Sequence, residues 1–325
     1  MLTDDLFNSI LIEPVERGCN KLFVVSGYAT SAMAFHHLTA LKALNAKVNV
    51  ELILGMCAKD GLSESNHRGF QQMAETDFPR AFKCSYVINI PPVHSKIYAW
   101  FKDDEPVVGF AGSANYTQTA FFSNQRELMV ECLPEDCFRY FESLNNDTIY
   151  CTHIDAENIV RIYNDQTYRR LLRQKIITED NVPEDFVLQG LPHARLELFG
   201  ARGNERSGLN WGQRPELSRE PNQAYIRIPS KVYKSGFFPA IGIHFTVHTD
   251  DNKVLLCTRA QQNGKGIQTP DNNSIMGLYF RRRLGLPSGA FVKKEHLLRY
   301  GRTYVDFYKI DDENYYMDFS KKANG

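Results

Sequence analysis

The stretch "PPVHSKIYAWFKDDEPVVGFAGSANYTQTAFFSNQREL", Pro91–Leu128, carries a His and a Lys two residues apart, then Gly-Ser-x-Asn, then a Glu. His94 and Lys96 fall in a run rich in β-branched and aromatic residues, so alternation predicts both side chains on one strand face. A titratable ring beside an ammonium is a poor way to build a core. It is a good way to hold a phosphate.

Outward from this stretch, strand and helix patterns alternate. "KLFVVSGYA" (Lys21–Ala29), "VNVELILGM" (Val48–Met56), "KCSYVINI", "SKIYAWF", "PVVGFAG" and "RELMVECL" read as strands. Helical patterns run from Ser31 to Leu44, from Glu64 to Glu75 and from Pro134 to Leu144. Interleaving of this kind predicts a layered α/β domain over residues 1–156. Residues 157–190 are polar and read as a linker, with Tyr168–Leu172 a helical connector. Beyond Pro192 short strands separated by Gly, Asn and Pro predict a β-dominated second domain, a small barrel or sandwich, over residues 191–325.

The whole chain has 325 residues, enough for about two domains. Its 43% hydrophobic content is that of a globular protein. No apolar run approaches the roughly 18 residues of a membrane span, and the acidic, amphipathic start does not read as a signal peptide. Seven scattered cysteines without a C-x-x-C pair point to reduced thiols and a cytoplasmic setting. The formal net charge is zero, yet residues 1–190 hold 17 Lys+Arg against 25 Asp+Glu, and residues 191–325 hold 21 against 13. The basic half is the one expected to meet a polyanion.

Phosphodiester cleavage needs a nucleophile, a proton donor for the leaving oxygen, and donors around the phosphate. His94 supplies a nucleophile able to form a phosphohistidine. Lys96 supplies a compact charge for a non-bridging oxygen, and Asn115 two amide donors. Gly112 and Ser113 permit close backbone approach, and Glu127 is placed to fix a histidine tautomer. Asp103-Asp104-Glu105 reads as a solvated turn. His244 and His248 share a strand face without a third ligand, and read as packing residues.

The His-x-Lys, Gly-Ser-x-Asn, Glu order resembles the phospholipase D superfamily over roughly Phe23–Glu131. Where that family carries Asp, after four intervening residues from the Lys, this chain has Phe101. The motif occurs once, since none of the other eight histidines has Lys two residues later. The resemblance implies two motifs facing each other across one site, so a single copy implies a homodimer with a composite site. Two identical histidines then take opposite protonation states. The resemblance calls for no divalent metal.

Two long polar segments interrupt the later strands. The first offers Arg202, Asn204, Arg206, Asn210, Trp211, Gln213 and Arg214; the second, Arg259, Lys265, Gln268, Asn272 and Asn273, with Arg281, Arg282 and Arg283 close behind. Arg and Lys match guanine edges, Asn and Gln match adenine, and further arginines suit phosphates. The order of strands and arms resembles the B3 DNA-binding pseudobarrel, whose arms enclose the major groove. Together the halves resemble metal-independent restriction endonucleases that join a phospholipase-D-type nuclease to a B3-like domain. That implies sequence-specific cleavage of double-stranded DNA without a cofactor. With no G-x-x-x-x-G-K-[ST] loop in this chain, ATP dependence would reside in a separate translocase subunit. A lipid phosphodiesterase and a catalytically inert DNA-binding regulator are the rival classes.

Overall fold

The computed structural model describes residues 1–122, 125–164, 167–168, 171, 191–199, 206–251, 253–260, 264–270, 272–310 and 312–321. The chain forms two compact units, Met1–Glu184 and Asp185–Gly325. Most of the expected connector helix lies outside the described residues.

In the first unit, strands β1 (Lys21–Ser26), β2 (Asn49–Leu54), β3 (Phe82–Val87), β4 (Lys96–Lys102), β5 (Glu105–Gly112), β6 (Met129–Cys132) and β7 (Thr148–Tyr150) form one sheet. Its order is β6-β5-β4-β1-β2-β3-β7. β1, β2 and β3 run parallel, and the remaining pairs are antiparallel. β1 lies in the middle, which explains the unbroken apolar run Leu22–Val25: both faces are covered.

Helix α1 (Ser31–Ala43) starts where the Thr30 hydroxyl accepts the Met33 N–H at 3.2 Å. It packs on α2 (Glu64–Gln72). A third helix, α3 (Pro134–Ser143), opens with Pro at its first turn and two acidic residues. Its buried Phe141 joins a cluster that includes Val25, Ile53, Ile97, Ala99 and Phe101. Phe101 stands 5.4 Å from Phe23 and 4.8 Å from Phe138, ring centre to ring centre. With Ile97 and Ala99 it occupies the face opposite that of Lys96, so position 101 belongs to the core. A carboxylate there would be costly rather than catalytic.

In the second unit, β8 (His193–Glu197), β9 (Ile226–Arg227), β10 (His244–Thr249), β11 (Val254–Ala260), β12 (Gly266–Gln268), β13 (Tyr304–Lys309) and β14 (Asn314–Asp318) follow the order β8-β13-β14-β10-β11-β12-β9. The outer strands β8 and β9 approach each other, so the sheet nearly closes into a barrel. Phe238, Phe245, Phe307 and Tyr315 fill it, and the Tyr315 hydroxyl donates to Phe237 O at 2.7 Å. His244 and His248 are buried on β10, His248 Nε2 lying 3.3 Å from Asn314 Oδ1 on the neighbouring strand.

Several elements differ from the sequence reading. A short helix, α4 (Ser230–Lys234), precedes Phe237 and Phe238, which are drawn into the barrel. Helices α5 (Ser274–Arg283) and α6 (Lys294–Tyr300), and strand β14, were not expected. In α5 a mid-helix Gly and three successive arginines hide the apolar positions Met276, Tyr279 and Phe280.

One buried group couples the first unit to pH. His37 donates from Nε2 to Leu11 O (3.1 Å), so its Nδ1 accepts from the Tyr116 hydroxyl (2.7 Å). Burial holds its pKa down, at about 3 against an ordinary 6.5. Above pH 6.5 both folded and unfolded chains keep it neutral; below that only the unfolded chain takes up the proton. Stability therefore falls as pH drops from about 6.5 towards about 3, by at most about 1.4 kcal/mol per pH unit from this group. His37→Gln should flatten that acid limb, as measured by urea unfolding at a series of pH values.

Candidate active site

The chemistry-bearing residues meet at one end of the first sheet. β1 ends at Ser26, which lies in register with Lys96 at the start of antiparallel β4. Gly55 N–H donates to Ser26 O (2.9 Å), Met56 N–H to Gly27 O (3.1 Å), and Val93 N–H to Gly55 O (3.0 Å). These bonds fix the residue just before His94. Carboxyl ends of parallel strands are where open α/β sheets hold ligands.

His94 is exposed and lies before β4, not on it; the strand begins at Lys96. The two meet because Lys96 folds back: its buried ammonium is 2.8 Å from His94 O and 3.2 Å from each ring nitrogen. The Tyr28 ring meets the imidazole nearly at right angles, with centres 5.8 Å apart. Gly27 is required beneath it, because a Cβ there would stand 3.0 Å from His94 Cδ2 and 3.5 Å from Asn115 Oδ1.

Asn115 is 2% exposed. Its Oδ1 accepts from Tyr28 N–H (3.1 Å) and lies 3.3 Å from the Ser26 hydroxyl, which turns the two Nδ2 donors the other way. Ser26 also accepts the Tyr116 N–H at 2.9 Å and donates to Tyr28 O at 2.5 Å. The buried Glu127 takes a short hydrogen bond from the Ser113 hydroxyl, and Leu128 N–H donates to that same hydroxyl at 3.0 Å. Within one chain Glu127 thus pairs with Ser113, where a histidine partner was expected. Gly112 is needed for strand pairing rather than phosphate approach, since a Cβ would meet Leu128 O at 2.1 Å.

Ser26, Gly27 and Tyr28 belong to no motif the sequence reading used. Their signal was present as a Ser-Gly pair closing a buried strand.

The second unit sorts its polar residues sharply. Arg281, expected at a phosphate, is fully buried, and donates to Ala290 O (2.8 Å), Gly277 O (3.1 Å), Leu209 O (3.2 Å) and Pro221 O (3.2 Å). Burial lowers its pKa, against the nearby Glu220 charge. Arg283 is clamped bidentately by Asp250 at 2.9 and 2.7 Å and also donates to Tyr300 and to Phe319 O. Arg259 is buried on Gly264 O and Pro239 O, and Asn210 exchanges two 2.8 Å bonds with the Val292 backbone. Gln213 donates to Pro221 O and Gly289 O. These five brace the arms, a correction to their expected place on DNA.

Lys265, Asn272, Arg282 and Arg206 are exposed, Arg206 beside Glu216 at 3.3 Å. Trp211, Arg214, Gln268 and Asn273 are half-buried. Asn272 Oδ1 accepts the Ser274 N–H at 3.1 Å, at the start of α5. Arg202 and Asn204 lie outside the described residues. Arg227 on β9, in register with Gly266 beside Lys265, and Lys231 and Lys234 on α4 are also exposed cations. Their signal is an absence of acid, since residues 224–249 and 253–270 contain no Asp or Glu.

Comparison with known proteins identifies both units. Residues 4–158 match the NgoFVII restriction endonuclease N-terminal PLD domain, and residues 187–311 the NgoFVII C-terminal B3-like DNA-binding domain. Among solved structures, Nuc of Salmonella typhimurium, a phospholipase D family member, is 16% identical, with TM-score 0.32 over 44% of this chain and 89% of its own. NucT from Helicobacter pylori gives 16% and 0.32, over 45% and 91%. Comparison with curated proteins gives no match. A phospholipase-D-type domain joined to a B3-like domain is the architecture of a DNA nuclease. The chain belongs to the restriction-endonuclease family built in this way.

Two substitutions separate site from scaffold. Gly27→Ala should push the His94 ring by a few tenths of an ångström and slow DNA cleavage by about tenfold or more, with the thermal unfolding midpoint little changed. Arg281→Ala removes four hydrogen bonds to backbone carbonyls from a fully buried position and should cost more than about 2 kcal/mol in denaturant unfolding, without altering the salt dependence of DNA binding.

Proposed function

We propose that the protein is a sequence-specific, Type II-like endonuclease for double-stranded DNA, acting as a homodimer through a covalent phosphohistidine. The observation that carries this reading is the exposed His94, in the chain's one His-x-Lys pair, with the Lys96 ammonium 3.2 Å from its ring nitrogens. That is half of a two-histidine site. His94 of one chain attacks phosphorus and breaks the P–O3′ bond, while His94 of the second chain gives its proton to the leaving 3′ oxygen. Water, deprotonated by that second histidine, then displaces the first and releases a 5′-phosphate.

Lys96 and the Asn115 amide hold the non-bridging oxygens. Glu127, braced by Ser113, takes the ring N–H of a histidine across the dimer. The groups around the scissile phosphate are an imidazole, an ammonium and an amide, so the reaction is assigned no metal and no cofactor. Residues 1–156 cleave and dimerise, 191–325 recognise DNA, and 157–190 link them.

Purified protein should cut unmethylated phage DNA into discrete fragments in excess EDTA, and His94→Ala should cut none. Mixing wild type with His94→Ala under subunit exchange should lower activity as the square of the wild-type fraction; a linear fall means independent sites. Sequence-specific binding without cleavage would instead place the chain in a system that needs a separate ATP-dependent translocase.

A further inference from the structure

The loop after β8 carries an aromatic residue with two cations on it. The Arg219 guanidinium lies 3.8 Å from the centre of the Trp211 indole, and that of Arg214 lies 5.0 Å away. Tyr225 closes the ring's edge at 5.4 Å and 80°. Arg219 Nη1 donates to Trp211 O at 3.2 Å, so its stack is held at a second point. The stretch that follows the ring is tied down: Gly212 N–H donates to Gln223 O at 2.8 Å, and Gln213 Nε2 to both Pro221 O and Gly289 O at 2.9 Å.

Nearby carboxylates are already engaged. Glu216 faces Arg206, and Glu220 accepts from Asn222 at 2.7 and 2.8 Å and from the Ser274 hydroxyl. Burial pushes the Glu220 pKa up, but these hydrogen bonds outweigh it and hold the carboxyl below its ordinary value. Among the described residues, neither Arg214 nor Arg219 is paired with an acid. Two guanidiniums near one ring repel each other, and an anion bound to them offsets that repulsion. Stacking also fixes both side chains in advance, so little rotamer entropy is lost when the anion arrives.

We propose that Trp211, Arg214 and Arg219 form a preformed clamp for a backbone phosphate of DNA. This rests on the reading of the chain as a DNA-acting enzyme. The clamp positions the duplex without reading a base: one Arg219 donor is already spent on Trp211 O, which disfavours a bidentate grip on guanine.

The test uses the full chain and fluorescent duplexes, with and without the recognition sequence, across a salt titration. In the Arg214→Ala/Arg219→Ala double variant, the slope of log K against log salt should flatten by about 0.9, with affinity lost equally on both duplexes. An unchanged slope, or a loss confined to one base pair, overturns the clamp. An independent reading uses the wild type. Of the two tryptophans, Trp100 is fully buried, so acrylamide quenching reports Trp211. Duplex DNA should protect it, and unaltered quenching overturns the proposal. Wild type that binds no duplex at all overturns the functional reading and the clamp together, whereas normal wild-type binding with an unchanged variant slope overturns the clamp alone.

Discussion

A buried ammonium at the end of a sheet sets the terms for the first unit. Lys96 is 6% exposed, and a charge so placed is tolerated only with acceptors at hand. The β1–β4 register puts it opposite Ser26, and His94, two residues earlier, supplies both a carbonyl and a ring. Holding the lysine therefore holds the histidine. The surrounding glycines, Gly27 and Gly55, let three chain segments approach closely enough for that arrangement to stand.

The second unit solves a different problem with the same kind of group. Its arginines divide between those that tie loops to the barrel and those that reach outward. Arg281 and Arg283 carry dense hydrogen-bond sets inside the fold; Arg282, between them on the same helix, is exposed. Helical geometry turns successive residues by about a third of a circle or less, so three adjacent arginines cannot share one partner. The described parts of the arms are tied to the barrel by this division. Asn222 O lies where a Cβ on Gly277 would be, only 1.7 Å away, so the base of the first arm is seated directly on α5.

Much of this was legible before any fold was drawn. Leu22–Val25 reads as a doubly covered strand because every side chain is apolar, and His94, Lys96, Ser113, Asn115 and Glu127 stand out because their chemistry suits no core. Other features resisted reading. Alternation counted back from β4 puts His94 on the strand, whereas the chain leaves the sheet there and Lys96 bends to reach it. The helix α5 was hidden because its polar residues are buried against partners far along the chain.

The sequence by itself determined the ingredients of the candidate site, the two-part layout and the basic character of the second half, because residue type, period and charge are local properties. Only the tertiary structure decided that Ser26 and Tyr28 hold Asn115, that Glu127 rests on Ser113, and that Arg281 is scaffold while Arg219 is stacked on Trp211. The physical reason is that a polar side chain has the same composition wherever it stands. Its role is set by which distant groups desolvate it or accept its protons, and those arrive only when the chain closes on itself.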